Sequence, residues 1–434
     1  MDRRQFLKFT GAVAAASAIT PATELSAAPK KGRTPLETKG YVKEPARQIP
    51  VVDNADVVVL GGGPAGFAAA VSAAREGVDV MMIEREYFLG GLFTGCGVTP
   101  IINMYNYTAG GREQAVVGIA EELCGKLHAV GMTNRLPGRI RYRVDPEAAK
   151  YYMEEICDSA GVRMLYGVHA AQVIQSGNAI KTVIVEGKSG RVAINCKFVV
   201  DCTGDGDVLE WTGEDFETRK NDIGAMWRLG NATGAPKGTP TPSKGVVGRH
   251  MVGPHDQDGL DMYNLTKVQK EIRKKIWDEA QRYRKMEGLQ DLYIVDTPSV
   301  VGVRITRVLN GVEKVLSDDA AVGKVYKNVI GMAGGESTLK YSGGKIPMKQ
   351  RKMWQVPYGA LCPKTVPNLL VGGRCFSFDE NITYDAREVG TCFMTGQAAG
   401  VAAALAVISR CSCREVDIPT LQKHLKAQNV KLEA

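Results

Sequence analysis

The strongest pattern of apolar and polar positions lies around residue 60. An apolar run at 55–60, ADVVVL, is followed by the glycine cluster GGGPAG at 61–66. A short apolar run that ends at turn residues predicts a buried strand. The small residues of FAAAVSAAREG at 67–77 predict a helix that ends at Gly77, and DVMMIE at 79–84 predicts a second strand. The stretch therefore predicts a strand–helix–strand unit.

The glycines of this unit have the spacing G-x-G-x-x-G. Gly61 permits a tight turn, Gly63 lets a pyrophosphate approach the backbone, and Gly66 lets the helix pack closely on the strand. The free N–H groups at the helix start attract phosphate. Glu84, at the end of the second strand, stands 18 residues after Gly66, where an acid can accept ribose hydroxyls. The unit therefore predicts a Rossmann-type dinucleotide site.

Other stretches have patterns of their own. Residues 179–200 predict a β-meander, 221–231 a strand, and 388–406 a helix of small residues. Residues 265–288 have a helical period with an apolar face, and we interpret their Lys and Arg residues as a solvated face rather than a docking patch. The Gly- and Pro-rich stretch at 234–259 predicts a long loop that covers a site.

The first 28 residues have the composition of a targeting segment. Arg3 and Arg4 precede an alanine-rich apolar run at 11–19, which is too short to span a bilayer, and SAA at 26–28 offers a cleavage site. The segment resembles a twin-arginine export signal, with a flexible basic N-terminus as the alternative. Because that route carries folded proteins with their cofactor, it favours a tightly held FAD over an exchangeable NAD. Residues 29–50 are rich in Pro and Lys and predict a linker.

Charge and cysteine content narrow the function further. The net charge of +8 comes partly from the leader and from one helix, so we expect no nucleic-acid partner. The ten cysteines form no C-x-x-C pair, and most stand in apolar runs, which is typical of buried cysteines. The five histidines have no metal-ligand spacing, and we expect no metal site.

Three further motifs support a family assignment. EREYFLGGLFTG follows the second strand, DCTGDGD ends the meander at 201–207, and PNLLVGGRCFS stands at 367–377 before the small-residue helix. With the glycine fingerprint, they resemble the glutathione-reductase-like FAD-dependent oxidoreductases, which are related to fumarate reductase and succinate dehydrogenase flavoproteins. The resemblance covers most of residues 52–215 and 295–407. It implies an α/β fold, with a Rossmann-like FAD-binding domain and an inserted α+β substrate or cap domain.

The resemblance also implies domain boundaries and cofactor contacts. The FAD-binding domain would comprise residues 51–215, with cap loops near 92–145, and residues 301–434. Residues 216–300 would form the cap. Beyond the fingerprint glycines and Glu84, the residues expected to contact FAD are Arg85, Gly90, Gly91, Leu92, Ala170, Thr203, Gly204, Asp205, Gly373, Arg374, Gly390 and Thr391.

Candidate catalytic residues stand in two places. VVGVRITRVLNG resembles an active-site G-x-R-x-x-R segment, whose Arg304 and Arg307 could share a helix face as a carboxylate or alkoxide clamp, or else form a structural ion pair. Asp379 and Tyr384 follow the GGRCFS turn and are candidates for proton transfer, with loop capping as the alternative. The family's usual Y-P-x-D-x-H stretch is replaced here, so the family's substrate cannot be transferred.

These features predict an exported enzyme that moves a hydride between a small organic substrate and flavin N5. The substrate would be a hydroxylated compound that is oxidised or an activated double bond that is reduced. Its electron donor or acceptor would be another protein or a quinone. A non-redox FAD-binding protein, or a binding subunit that uses FAD structurally, is the alternative.

Overall fold

The computed structural model describes residues 36, 39–40, 42–108, 111–135, 142–335 and 337–433. The predicted leader at 1–28 and most of the first part of the predicted linker lie outside the described residues. Residues 42–50 have no regular secondary structure.

The helices alternate with strands along the first 215 residues and are sparser afterwards. They are α1 (Pro64–Arg75), α2 (Leu92–Gly95), α3 (Gly118–Ala129), α4 (Pro146–Ala160), α5 (Asp207–Thr212), α6 (Met262–Tyr283), α7 (Ser317–Val322), α8 (Thr383–Ala386), α9 (Val389–Ser409) and α10 (Ile418–Ala427).

The strands form one large sheet, a second sheet around residues 223–303, and short two- or three-stranded ribbons. They are β1 (Val51–Leu60), β2 (Val80–Glu84), β3 (Pro100–Ile101), β4 (Tyr105–Thr108), β5 (Gly111–Gln114), β6 (Thr133–Arg135), β7 (Tyr142–Val144), β8 (Arg163–Tyr166), β9 (His169–Ser176), β10 (Ala179–Gly187), β11 (Gly190–Asp201), β12 (Phe216–Thr218), β13 (Ile223–Gly230), β14 (Thr239–Pro240), β15 (Val247–Val252), β16 (Tyr293–Asp296), β17 (Gly302–Val303), β18 (Arg307–Leu309), β19 (Val329–Ala333), β20 (Leu339–Tyr341), β21 (Gly344–Ile346), β22 (Trp354–Pro357) and β23 (Leu369–Val371).

The large sheet brings three predicted motifs to one edge. Strands β8, β2, β1, β11 and β23 are parallel, and β10 and β9 extend β11 as the predicted meander. In the register, Leu60 pairs with Asp201 and Asp201 pairs with Val371. The turns that follow these residues therefore lie side by side at the carboxyl edge of the sheet, where ligands of open α/β sheets bind. The parallel sheet and its flanking turns confirm the predicted Rossmann-like fold.

Helices α1 and α9 pack against each other on one face of the sheet through their backbones. A Cβ atom on Gly396 would lie 2.1 Å from the carbonyl oxygen of Ala65, and one on Gly400 would lie 2.1 Å from that of Ala69. Such an approach requires glycine. Among the described residues, α9 is also the one helix that is long and apolar enough to cross a membrane, but 83% of that apolar window is buried inside the protein. Here α9 is a core helix.

The second sheet packs one of its faces against α6, and its opposite face is not covered by that helix. Strands β14, β15, β13 and β16 run in that order, and β17 also pairs with β13. Alternate residues of β13, from Ile223 to Leu229, pack with the apolar face of α6 that the sequence predicts. The opposite face includes Gly224, Met226 and Arg228. The prediction of a loop throughout 234–259 is wrong, because β14 and β15 form there. The exact domain boundaries stay a prediction.

We expect Gly396→Ala and Gly400→Ala to lower the free energy of unfolding by about 1–3 kcal/mol or more, because the added methyl group meets a backbone that cannot move aside. The matched control is Gly125→Ala in the exposed part of α3, where a Cβ atom would meet nothing within 4 Å. The control should be neutral or stabilising by about 0.5–1 kcal/mol. Denaturant unfolding of the three variants tests this, and equal stabilities would contradict it.

Candidate functional site

In the turn formed by the glycine fingerprint, two of the three glycines pack against backbone atoms and the third faces open space. A Cβ atom on Gly61 would lie 2.5 Å from the Cys202 carbonyl oxygen, and one on Gly66 would lie 1.7 Å from the Gly61 carbonyl oxygen. Both glycines are needed for packing. A Cβ atom on Gly63 would meet nothing within 4 Å, whereas one on Gly91 would lie 3.3 Å from the Gly63 Cα. The space beside Gly63 is therefore bounded by the predicted second glycine pair and is open for a phosphate.

Glu84 ends β2 inside this turn. The side chain is 5% exposed; Oε2 accepts from the Gly62 N–H at 2.6 Å and Oε1 accepts from the Glu86 N–H at 2.8 Å. Burial raises the pKa of Glu84, and these hydrogen bonds only partly oppose the shift. Because a carboxylate has about four acceptor positions, Glu84 retains capacity for ribose hydroxyls.

The neighbours of Glu84 complete this end of the predicted site. Gly90 donates its N–H to the Gly62 carbonyl at 2.8 Å, which places Leu92, the first residue of α2, near the fingerprint. Arg85 is about half exposed, and its charge stabilises the ionised forms of Glu84 and Asp205. Ala170 lies on β9 opposite Val185, two residues after Val168, whose N–H reaches the Glu84 carbonyl. The adenosine end of a dinucleotide would lie here.

Asp201 organises the turn after β11, and the sequence analysis did not assign it a role. It is fully buried; Oδ1 accepts from the N–H and hydroxyl of Thr203, and Oδ2 accepts from the Val208 N–H at 2.9 Å. The Thr203 side chain is thus committed to the turn. Its hydroxyl also accepts from the N–H groups of Asp205 at 3.3 Å and Asp207 at 3.2 Å. Its predicted contact with the cofactor would therefore come through its backbone.

Asp205 joins three segments of the site. Its Oδ1 accepts from Arg374 Nη2 at 2.8 Å and from the Thr306 hydroxyl at 3.0 Å, while its carbonyl accepts from Arg307 Nη1 at 2.9 Å. Burial, the largest single effect, raises the pKa of Asp205, but Arg374, Arg85 and the Thr306 hydrogen bond together hold it below its usual value. Asp205, which the sequence analysis expected to contact FAD, therefore lies in a network of charged side chains from three segments.

Arg374 lies across Gly204 in this junction. A Cβ atom on Gly204, which has φ of +77°, would lie 2.8 Å from the Arg374 guanidinium carbon. A Cβ atom on Gly373 would lie 2.9 Å from the Ala65 Cβ, and the Gly373 N–H donates to the Thr395 hydroxyl at 3.1 Å. The buried Nε of Arg374 has no hydrogen-bond partner within the described part of the chain. That atom is a donor available to a ligand.

Gly390 and Thr391 lie in the first turn of α9, as predicted. The Gly390 N–H donates to the Ile102 carbonyl, and the Thr391 hydroxyl donates to the Asp385 carbonyl at 2.9 Å. These groups hold the helix start in place. A contribution to a cofactor would come from the positive end of the helix dipole rather than from these two groups.

The expectation of a shared helix face for Arg304 and Arg307 is wrong. Arg304 lies between β17 and β18, and Arg307 begins β18. Arg307 forms ion pairs with Asp207 at 3.2 Å and Glu210 at 3.5 Å, which is the structural alternative. Arg304 donates to Asp222 at 3.1 Å, and its side chain is 15% exposed. Of these two arginines, only Arg304 remains a candidate for the site.

The other two catalytic candidates differ in their surroundings. Asp379 accepts from the N–H groups of Ser317 and Ile382 with its two carboxylate oxygens, so the structure favours the capping role. Tyr384 on α8 is 49% exposed, and its ring lies 5.3 Å from the guanidinium carbon of Arg387. Tyr384 remains beside the site.

Arg387 is a candidate that the sequence analysis missed. It precedes α9, pairs with Glu388 at 3.3 Å, and has a buried Nε with no partner among the residues described. Burial lowers the pKa of Arg304 and the positive charge of Arg387 lowers it further, so the two guanidinium groups interact electrostatically. The position directly before a helix expected at the flavin was the signal that was available in the sequence.

Comparison with known proteins agrees with this geometry. The model of the family "FAD dependent oxidoreductase" matches residues 56–232 and 236–425. The model of the twin-arginine translocation signal sequence matches residues 1–20, which lie outside the described residues.

Individual relatives match only in part. A dihydrolipoyl dehydrogenase of Manduca sexta is 25% identical over 51% of this chain, and a menaquinone reductase of Mycobacterium tuberculosis is 54% identical over 12%. The matches span 42% and 12% of those relatives' lengths. A geranylgeranyl bacteriochlorophyll reductase-like protein of Thermoplasma acidophilum aligns over 86% of this chain and 83% of its own, with 16% identity and a TM-score of 0.45.

The described residues fit FAD. The space beside Gly63, the acceptor capacity of Glu84 and the unpartnered Nε of Arg374 lie along the carboxyl edge of one parallel sheet. They would hold the pyrophosphate, a ribose and the ribityl or pyrophosphate oxygens, respectively.

We expect Gly63→Ala to leave the fold intact but weaken FAD binding at least about tenfold, which corresponds to about 1.4 kcal/mol. The added methyl group meets no protein atom, and φ at Gly63 is −66°, so only a bound phosphate would be displaced. FAD titration of the apoprotein, followed by flavin fluorescence, measures the affinity. Gly125→Ala is the control, and an unchanged affinity for Gly63→Ala would contradict the assignment of the pyrophosphate site.

Proposed function

Because the chain belongs to the family of FAD-dependent oxidoreductases, we propose that it exchanges a hydride with a small organic substrate that carries a carboxylate. FAD is its cofactor, and the twin-arginine signal directs its export. Bound FAD supplies the two-electron acceptor or donor. The chain itself would bind the substrate, orient it and handle the proton.

The observation that carries the proposal is the pair Arg304 and Arg387. Their side chains are 15% and 16% exposed. Burial lowers the pKa of Arg304, and the positive charge of Arg387 lowers it further. Arg304 pairs with Asp222 and Arg387 pairs with Glu388, but the Nε of Arg387 is buried and has no hydrogen-bond partner among the described residues. A carboxylate matches the planar donor fork of arginine.

The remaining charges support an anionic substrate. The N-terminus of α9 adds a positive dipole end directly after Arg387 and Glu388. The ring of Tyr384 lies 5.3 Å from the Arg387 guanidinium carbon, and Tyr384 is partly exposed. A 2-hydroxy acid would be oxidised by loss of a hydride from carbon and of a proton from its hydroxyl. An enoate would be reduced by addition of a hydride to its β carbon and of a proton to its α carbon.

A second partner follows from electron balance. Each turnover leaves two electrons on, or takes two from, a cofactor that is expected to stay bound. Because nicotinamide dinucleotides are not supplied outside the cytoplasm, we propose that a protein or a quinone accepts or donates these electrons.

The test is the visible absorption of the purified FAD-loaded protein under anaerobic conditions. Hydroxy acids, neutral alcohols and sugars are added in turn, and reduced protein is then offered enoates. Bleaching by a hydroxy acid, or reoxidation by an enoate, is the expected result. A flavin spectrum that responds to none of them would favour a non-redox role for FAD and would overturn the proposal.

We expect Arg304→Gln and Arg387→Gln each to raise the carboxylate concentration that gives half-maximal bleaching by about tenfold or more, because a charge-assisted hydrogen bond contributes about 1.5–3 kcal/mol. Arg163→Gln is the matched control, since Arg163 is ion-paired with Asp53 and Asp79 at the start of β8, away from the carboxyl edge. Equal concentration dependence in all variants would show that the substrate anion is held elsewhere.

A further inference from the structure

His250 lies on the free face of the second sheet. In β15 it pairs with Met226 of β13, and Val252 pairs with Gly224, so these residues share one face. The adjacent Arg249 points the other way, toward α6, where it pairs with Glu279 and lies over the Trp227 ring. Alternation along a strand therefore directs His250 away from α6.

The free face lies against the active-site segments. A Cβ atom on Gly224 would lie 3.4 Å from Arg304 Nη2, and one on Gly97 would lie 3.2 Å from the Met226 carbonyl oxygen. Gly97 follows the helix α2 that begins beside the glycine fingerprint. His250 thus lies on the same face of the sheet as Gly224, which faces Arg304, and its side chain is partly exposed there.

Three arginines determine the electrostatic environment of His250. Partial burial of the ring, followed by the positive charges of Arg304, Arg143 and Arg249, lowers the pKa of His250 from its usual value near 6.5. The Arg304 guanidinium is held by Asp222, which also contacts His255. At pH 7 the imidazole is therefore neutral and has the form of a base.

We propose that His250 is the catalytic group that takes the hydroxyl proton of the substrate during oxidation and returns a proton during reduction. The inference rests on the proposed function and names the residue that its proton transfer requires. Other candidates fit less well: both carboxylate oxygens of Asp379 already accept backbone N–H groups, and an arginine paired with a carboxylate stays protonated.

The step balances without a further reactant. The C–H bond of a 2-hydroxy acid breaks with its electron pair, which leaves as hydride to FAD. The O–H bond breaks as its proton goes to the free ring nitrogen of His250, and the carbon–oxygen bond becomes a double bond. The substrate is oxidised by two electrons, FAD is reduced by two, and the imidazolium then releases its proton to water.

The kinetic test compares His250→Gln with His128→Gln in the FAD-loaded protein. His128 is exposed on α3 and serves as the matched control. We expect His250→Gln to slow single-turnover bleaching by about a hundredfold or more, as removal of a general base does. The half-maximal substrate concentration and FAD affinity should change little. Wild-type oxidation should rise with pH up to a pKa below 6.5 and then level off, and reduction should fall over the same range.

A second readout does not depend on turnover. The five histidines are labelled at Cε1 and titrated by NMR, with the resonance that is lost in His250→Gln assigned to His250. We expect His250 to titrate below the usual histidine pKa of 6.5, and acetate or Arg304→Gln to raise its pKa by offsetting or removing positive charge. Failure of both to move the His250 titration would overturn the inference.

The outcomes separate the two proposals. If no compound changes the wild-type flavin spectrum, the proposed function fails and this inference fails with it. If the wild type bleaches and His250→Gln bleaches equally fast, the inference alone is wrong. Slow bleaching in His250→Gln, with an unchanged His128→Gln control and a responsive His250 resonance, supports both.

Discussion

The site depends on backbones that approach each other without side chains between them. Helix α1 contacts the turn after β1 at Gly66, and it contacts α9 at Gly396 and Gly400. These contacts fix the direction of α1 toward the phosphate position, and they fix the start of α9 relative to the same edge of the sheet. A single methyl group at any of these places separates elements whose relative placement defines the cofactor site.

The strand register extends this constraint to the other motifs. Since Leu60, Asp201 and Val371 are neighbours across three parallel strands, the turns after them meet without long connecting loops. Asp205 then binds Arg374 from one turn and Thr306 from the segment that follows Arg304. The predicted cofactor site and the proposed substrate site are thus connected through one carboxylate, whose side chain is 15% exposed.

Local patterns predicted the parts of the fold that local chemistry determines. The strand–helix–strand unit, the meander, the apolar face of α6 and the helix α9 all have their period or their turn residues within one short segment. The sequence-based prediction was wrong where the local structure depends on pairing with a segment distant in sequence. Strand β15 forms because it pairs with β13, and the Gly- and Pro-rich composition around it concealed that pairing. Arg387 was missed for the same reason, since its neighbour Arg304 is distant in sequence.

The glycines of the fingerprint also differ in what they do, although the motif presents them together. Gly61 and Gly66 are excluded from bearing a side chain by the protein's own backbone, whereas a Cβ atom on Gly63 would have no protein atom within 4 Å. Where a glycine is needed for packing, an added Cβ atom would clash with protein atoms. Where it is needed for a ligand, the Cβ atom would meet no protein atom. By this criterion Gly390, whose added Cβ would lie 2.6 Å from the Ile102 carbonyl, belongs with the packing glycines. Its place in the cofactor motif therefore reflects the packing that positions the start of α9, from which the helix dipole would act on a bound flavin.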